Sequence, residues 1–270
     1  MDLCGDIYNS EHIRGVLYYG NNTGQKPLDR ADFTNDKQCV DEKQSDISPY
    51  LVKEVPWPWP TLENATQFGE LKPNGIYASK LFDANFFKRN TQAIMQWRVN
   101  NETLFVDWEE PTLKSIIQGK ATNSSNAVIL PSNVEWFYLL LNNAQQPSTS
   151  SNGSPAIHPM HLHAHDFYIL SEVTSPWNGT VSTLNPPRRD SAILTSGHLL
   201  LAWKVGNPGV WLFHCHLGWN TEMGFDLQFI EHPESIPSIT NLAALEENCQ
   251  EWKFSAHKWN IVKQPNDSGV

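Results

Sequence analysis

From residue 61 onward, short apolar runs separated by turn residues dominate the chain. Eight have strand length: Gln92–Val99, Leu104–Trp108, Ala127–Leu130, Glu135–Leu141, His161–Leu170, His198–Val205, Val210–His216 and Phe225–Ile230. Gly, Pro and Asn punctuate them, so the pattern predicts an all-β domain, a Greek-key sandwich or barrel. Asn207-Pro208-Gly209 has the composition of a type II turn and predicts a hairpin that carries residues 214–216 into the sandwich. Two stretches follow helical spacing instead, Leu113–Gln118 and Ser238–Trp252. The second is expected to start behind Pro237 with Leu242, Leu245 and Cys249 on one face. Upstream, residues 1–49 are polar and turn-rich with one strand-like piece, Ile13–Tyr19, too little for a sheet of its own. The run Val55-Pro-Trp-Pro-Trp-Pro60 reads as an extended linker within residues 50–60, since each Pro fixes its own φ and removes a donor. Gln145–Pro155, rich in Ser, Asn, Gln and Pro, reads as a surface loop, and no internal repeat is present.

Composition adds size and partners to this picture. A chain of 270 residues, 40% hydrophobic with 11 Trp and 12 Phe, can bury a sizeable core in one or two domains. The formal net charge of −10 argues against nucleic acid or an anionic membrane as partner. No apolar run reaches the length of a membrane span, and Met1-Asp-Leu-Cys-Gly-Asp6 lacks the basic and apolar regions of a signal peptide. Compartment is therefore read from the glycosylation sequons at Asn21, Asn64, Asn101, Asn123, Asn152, Asn178 and Asn266, against about three expected by chance. Their excess favours secretion.

The chemistry sits in two windows. Six of the ten His fall at 158–165 and 214–216. In a strand, residues two apart share a face, so His214 and His216 look one way and Cys215 the other. His161 and His163 share a face in the same manner, and Pro159 is expected to break the alternation and aim His158 elsewhere. A single imidazole of this kind is most often a hydrogen-bonded core residue. Burying two clusters without a metal would leave each imidazole to be paired separately. A thiolate on one face and imidazoles on the other suit copper, with the Cys215 backbone as a short covalent path between two metal sites.

These residues carry a resemblance that covers nearly the whole chain. His158-Pro-Met-His-Leu-His-Ala-His165 followed by His214-Cys-His216 resembles the third cupredoxin domain of the multicopper oxidases, nearest the laccases of filamentous ascomycetes. Asn185-Pro-Pro-Arg-Arg-Asp190, Asn207-Pro-Gly209 and the terminal Asp267-Ser-Gly-Val270 fit the same family. The resemblance implies that residues 1–49 are the tail of a preceding cupredoxin domain, that 61–252 form one cupredoxin domain, and that 253–270 are a C-terminal tail. It implies that His158 and Cys215 are type 1 copper ligands, His161 a type 2 ligand, and His163, His214 and His216 type 3 ligands. That set supplies four of the family's eight cluster ligands, the others belonging to the family's first domain. It also implies that Cys4 pairs with Cys39, while Cys249 would pair with a Cys of the first domain; a buried free thiol is the alternative.

The family reaction implied is one-electron oxidation of phenols or aromatic amines at type 1 copper. Electrons pass through Cys215, His214 and His216 to the cluster, which reduces dioxygen to water. Trp219 resembles a residue lining the donor pocket, the alternative being a buried rim Trp, and Asp267 resembles a C-terminal plug, the alternative being a frayed tail. His165, Arg188 and Arg189 read as structural. The chain departs from the family at one ligand, since Asn220 stands where the second type 1 His belongs, and Phe225 takes the axial position. Three functions are consistent with these residues: the copper-binding part of an oxidase, a non-catalytic copper-binding or interaction module, and a one-copper electron carrier. The last leaves His161, His163, His214 and His216 without a purpose.

Overall fold

The computed structural model describes residues 47–57, 81–89, 94–99, 103–120, 126–130, 132–143, 157–173, 175, 178–195 and 197–259. The chain divides into two units, Met1–Ile47 and Ser48–Val270, and the fold described is that of the second. Ile13–Tyr19, Cys4, Cys39, the loop expected at Gln145–Pro155 and Asp267 lie outside the described residues.

Among the described residues eleven strands and four helices follow in order. They are β1 (Leu81–Arg89), β2 (Ile94–Val99), α1 (Thr112–Ile117), β3 (Ala127–Ile129), β4 (Trp136–Asn142), β5 (His158–Leu162), β6 (Phe167–Val173), β7 (Arg188–Arg189), β8 (Ser191–Leu194), β9 (His198–Lys204), β10 (Gly209–Cys215), α2 (Gly218–Glu222), β11 (Asp226–Glu231), α3 (Ile236–Ile239) and α4 (Leu242–Lys258). One sheet has the order β2-β1-β4-β9-β6-β7 and the other β3-β11-β10-β5-β8. Pairing is antiparallel except β1 with β4 and β11 with β3.

The core lies between the sheets. Phe137, Leu139 and Leu141 of β4 and Leu199, Leu201 and Trp203 of β9 meet Phe213, Leu227 and Phe229 of the facing sheet. Alternate residues of the same strands, Trp136, Tyr138, Leu140, Leu200 and Ala202, form a second cluster on the outer face with Val55. A strand buried on both faces reads as a continuous apolar run, which is why β4 and β9 carry little alternation. The Pro-rich segment covers that outer face: Val55 N–H donates to Thr183 O at 2.9 Å, the Tyr138 hydroxyl donates to Pro56 O, and Trp57 packs edge-on against Tyr138.

Several expected elements differ. The single strand expected at His161–Leu170 is two, β5 and β6, in different sheets. Ala164 separates them in the left-handed region at φ 59°. Leu104–Trp108 forms no strand; only Leu104 is buried, and the Asp107 carboxylate accepts from the N–H groups of Glu109 and Glu110, turning the chain into α1. β9 and β10 lie in different sheets, so the segment between them is a crossover and not a hairpin. Gly209 has no positive φ. It is needed because a Cβ there would lie 2.5 Å from the Trp211 indole. The helix expected at Ser238–Trp252 is broken: Thr240 is extended, and α4 begins afresh behind Asn241, whose side chain accepts from Ala244 N–H at 3.2 Å. It runs past residue 252 to Lys258.

Candidate metal centre

Neighbouring strands β5 and β10 bring the two His windows together, with His214 opposite His161 and Cys215 opposite Met160. The ligand atoms of His161, His163 and His214 lie within 4.8 Å of one another. His163 follows the end of β5, and its N–H is held by Leu212 O at 2.9 Å. The His216 ring completes the group at 5.5 Å from His214 and 5.6 Å from His161 between centroids.

Hydrogen bonds set which nitrogens are open. His161 Nδ1 lies 2.8 Å from Asp190 O, and His214 Nδ1 lies 3.0 Å from Cys215 O. A carbonyl accepts only, so each Nδ1 carries the proton and each Nε2 keeps its lone pair. His163 Nε2 and His214 Nε2 then face each other at 3.1 Å, an approach that a shared proton or a cation satisfies. Burial holds His214 down to about 4, against the opposing pull of Cys215 O and with help from His163, His161 and His216. Burial followed by the repulsion of His161 and His216 lowers His163 as well. Burial thus favours in His163 and His214 the neutral form that donates to a metal. The donor set therefore fits copper.

Cys215 lies on the opposite face, fully buried. His158 reaches that face by ordinary alternation, because β5 buries His158, Met160 and Leu162 in turn. The break expected at Pro159 does not occur; Pro159 lacks the donor, but its carbonyl accepts from His216 N–H. His161 stands three positions after His158, and odd spacing alone sends them to opposite faces. His158 Nδ1 is 3.8 Å from Cys215 Sγ, and Asn220 Nδ2 lies 3.4 Å from the sulfur and 3.2 Å from His158 Nδ1. Trp97 and Phe225 pack edge-on against the His158 ring at 4.8 and 4.9 Å. Burial lowers His158 to about 4. Burial also pushes the Cys215 thiol up, opposed by the Asn220 hydrogen bond. One thiol, one imidazole and a carboxamide, with an aromatic ring at Phe225, do not make the donor set of a blue-copper centre.

Trp219 is 78% exposed, which removes the buried-rim alternative. It lines one cleft with His214, His216, Gly218, Thr221 and Glu222. Cys249 is a buried free thiol. Two contributors were not anticipated. Thr221 donates its hydroxyl to Cys215 O and lies 3.4 Å from His214 Nδ1. Glu231, fully buried, accepts from Trp203 Nε1 and from the N–H groups of Gly206 and Asn207, and faces His165 Nε2 at 3.2 Å. Its signal was parity: Leu227, Phe229 and Glu231 share the core face, and an acid there needs donors.

A family profile described as multicopper oxidase matches residues 54–235. Laccase-1 of Botryotinia fuckeliana is 29% identical over 99% of this chain and 43% of its own length. A laccase of Arthroderma benhamiae is 30% identical over 95% of this chain and 42% of its own. The crystal structure of laccase from Botrytis aclada superposes with a TM-score of 0.67 at 28% identity, covering 95% of this chain and 43% of that one. The chain thus spans less than half the length of the relatives it matches.

Proposed function

The chain belongs to the multicopper oxidase family, and from that premise we propose that it is the copper-binding C-terminal cupredoxin domain of a laccase-type oxidase. In this reading His161 is the type 2 ligand, and His163, His214 and His216 are type 3 ligands. The observation that carries it is the convergence of His161, His163 and His214 within 4.8 Å, with the Nε2 atoms of His161 and His214 left as acceptors by their Nδ1 hydrogen bonds. Bound copper supplies one-electron chemistry that no side chain provides. Everything else is the work of the chain. Asp190 O and Cys215 O fix the tautomers, Thr221 braces the turn beside His214, and Cys215 joins both flanking imidazoles through its own backbone.

In the family the remaining cluster ligands come from other domains, and the family reaction, reduction of dioxygen to water at the expense of a phenol or aromatic amine, would further need a working electron entry at the Cys215 pocket. The exposed Trp219, on the same cleft as His214 and His216, is the place for such a donor to stack. Secretion is supported by the seven sequons. Among the described residues Asn178 is exposed. A second reading, a non-catalytic copper-binding module, is favoured by Asn220 in the Cys215 pocket.

Copper titration of the purified chain, followed by calorimetry and by electron paramagnetic resonance, tests the centre. Binding is expected with a nitrogen-rich spectrum, and His161→Ala, His163→Ala or His214→Ala should each weaken it by about tenfold or more. Equal affinity in the triple variant would refute the assignment.

A further inference from the structure

The pocket around Cys215 differs in kind from the imidazole cluster on the other face. Its three polar atoms form a triangle with edges of 3.8, 3.4 and 3.2 Å, running from Cys215 Sγ to His158 Nδ1, from Asn220 Nδ2 to the sulfur, and from Asn220 Nδ2 to His158 Nδ1. An amide nitrogen carries two N–H donors and no lone pair for a metal, whereas a thiol sulfur and an imidazole nitrogen can each accept. We propose that this triangle is closed by hydrogen bonds and takes no copper: Asn220 stands in for the ion, giving one N–H to His158 Nδ1 and the other to Cys215 Sγ.

Three features of the chain support this. Turned over, the amide would need both the Cys215 thiol and His158 Nδ1 to donate to its one oxygen, and its NH2 group would lose both of these partners. Asn220 is also held on both sides of its backbone, its N–H donating to Leu217 O at 2.8 Å and its O accepting from Phe225 N–H at 2.9 Å. These backbone bonds fix the position of Asn220 between α2 and the start of β11, from which its side chain reaches the sulfur and the imidazole. Finally, the rings packed on His158, Trp97 and Phe225, offer a metal no σ-donor in place of the missing imidazole. The consequence is a change of role for an inherited site. The corner where β5, β10 and α2 meet is fastened by an amide, and the electron-entry function that copper gives the family is absent from this chain.

The inference rests on the family reading only for what the pocket is compared with, and the experiment separates the two. The full chain, labelled with nitrogen-15 and kept free of oxygen, is titrated with excess Cu(I) and followed by nuclear magnetic resonance. The side-chain NH2 pair of Asn220, identified by its loss in Asn220→His, should stay unshifted while the imidazole signals of His161 and His214 move. Movement or broadening of the Asn220 pair together with the His158 ring would overturn the proposal. Unmoved imidazoles would instead count against the metal centre proposed above and leave this inference standing. With Cu(II), the intense thiolate-to-copper absorption in the red should be absent from the natural chain and appear in Asn220→His; the same band in the natural chain would also overturn the proposal.

Discussion

Glu231 shows how much of the site a single side chain can govern without touching a ligand. Its carboxylate takes hydrogen bonds from Trp203 on β9 and from Gly206 and Asn207 in the crossover, and it pairs with His165, two residues beyond His163. Burial alone would raise its pKa, but His165 and the two backbone donors outweigh that and hold it below the ordinary carboxylate value of 4.5. A depressed carboxylate stabilises the fold above its unfolded pKa, and that contribution is lost as pH falls through the folded value. Glu231→Ala strands the buried indole N–H and the imidazole, and should cost about 3–5 kcal/mol in denaturant unfolding at neutral pH. Glu231→Gln should cost less. Its gap from the natural chain should narrow as pH falls from 4.5 through the lower folded value, below which both carry a neutral group. A gap independent of pH would show that the charge is not what matters.

At the scale of elements, legibility followed burial. β2, β3, β4, β9, β10 and β11 were readable within a few residues from runs of mostly apolar positions of strand length, and α1 from its helical spacing. β1 was missed because Leu81-Phe-Asp-Ala-Asn-Phe-Phe-Lys-Arg89 has neither alternation nor an unbroken apolar run. β8 is four residues long and leaves too short a pattern to read. The split between β5 and β6 was hidden because Ala164, the residue with positive φ, is not of a type that announces a turn. The candidate site fared better than the elements around it, since its ligands follow from parity along β5 and β10. The His161 tautomer and the Glu231 anchor needed partners distant in sequence. Glycines give the same lesson in a testable form. Gly224 joins α2 to β11 at φ 87°, and a Cβ there would meet Thr103 Cγ2 at 2.2 Å and Leu104 O at 3.2 Å. Gly218 has open space around its Cβ position. Gly224→Ala should therefore lower stability by about 1–3 kcal/mol, while Gly218→Ala in α2 should be neutral or stabilising by up to about 1 kcal/mol. Equal thermal shifts in the two variants would contradict the placement of the α2–β11 turn.

Across the whole molecule, what a laccase does is distributed over more chain than is present here. The 270 residues cover 43% of Laccase-1 of Botryotinia fuckeliana and a similar share of the laccase from Botrytis aclada. The centre they build is a set of imidazoles on one face of β5 and β10, with the Cys215 pocket on the other. Oxidase turnover asks for both halves of the cluster and for a route by which electrons enter. The first is a matter of ligand count, because four imidazoles from one domain cannot complete a site for which the family uses eight. The second is a matter of ligand kind, because on the reading proposed above Asn220 offers amide hydrogens where an imidazole lone pair would be required. These two deficits are separable by experiment. The purified chain, supplied with copper and a phenolic donor in an oxygen electrode, should show no steady oxygen consumption, and Asn220→His should not restore it. Joined to the first two domains of a laccase, the natural chain should still fail to oxidise the phenol, whereas the chain with Asn220→His should do so. Steady consumption by the isolated chain would mean that the imidazoles of this one domain suffice. Equal oxidation by the two joined chains would mean that electrons enter without an imidazole at position 220.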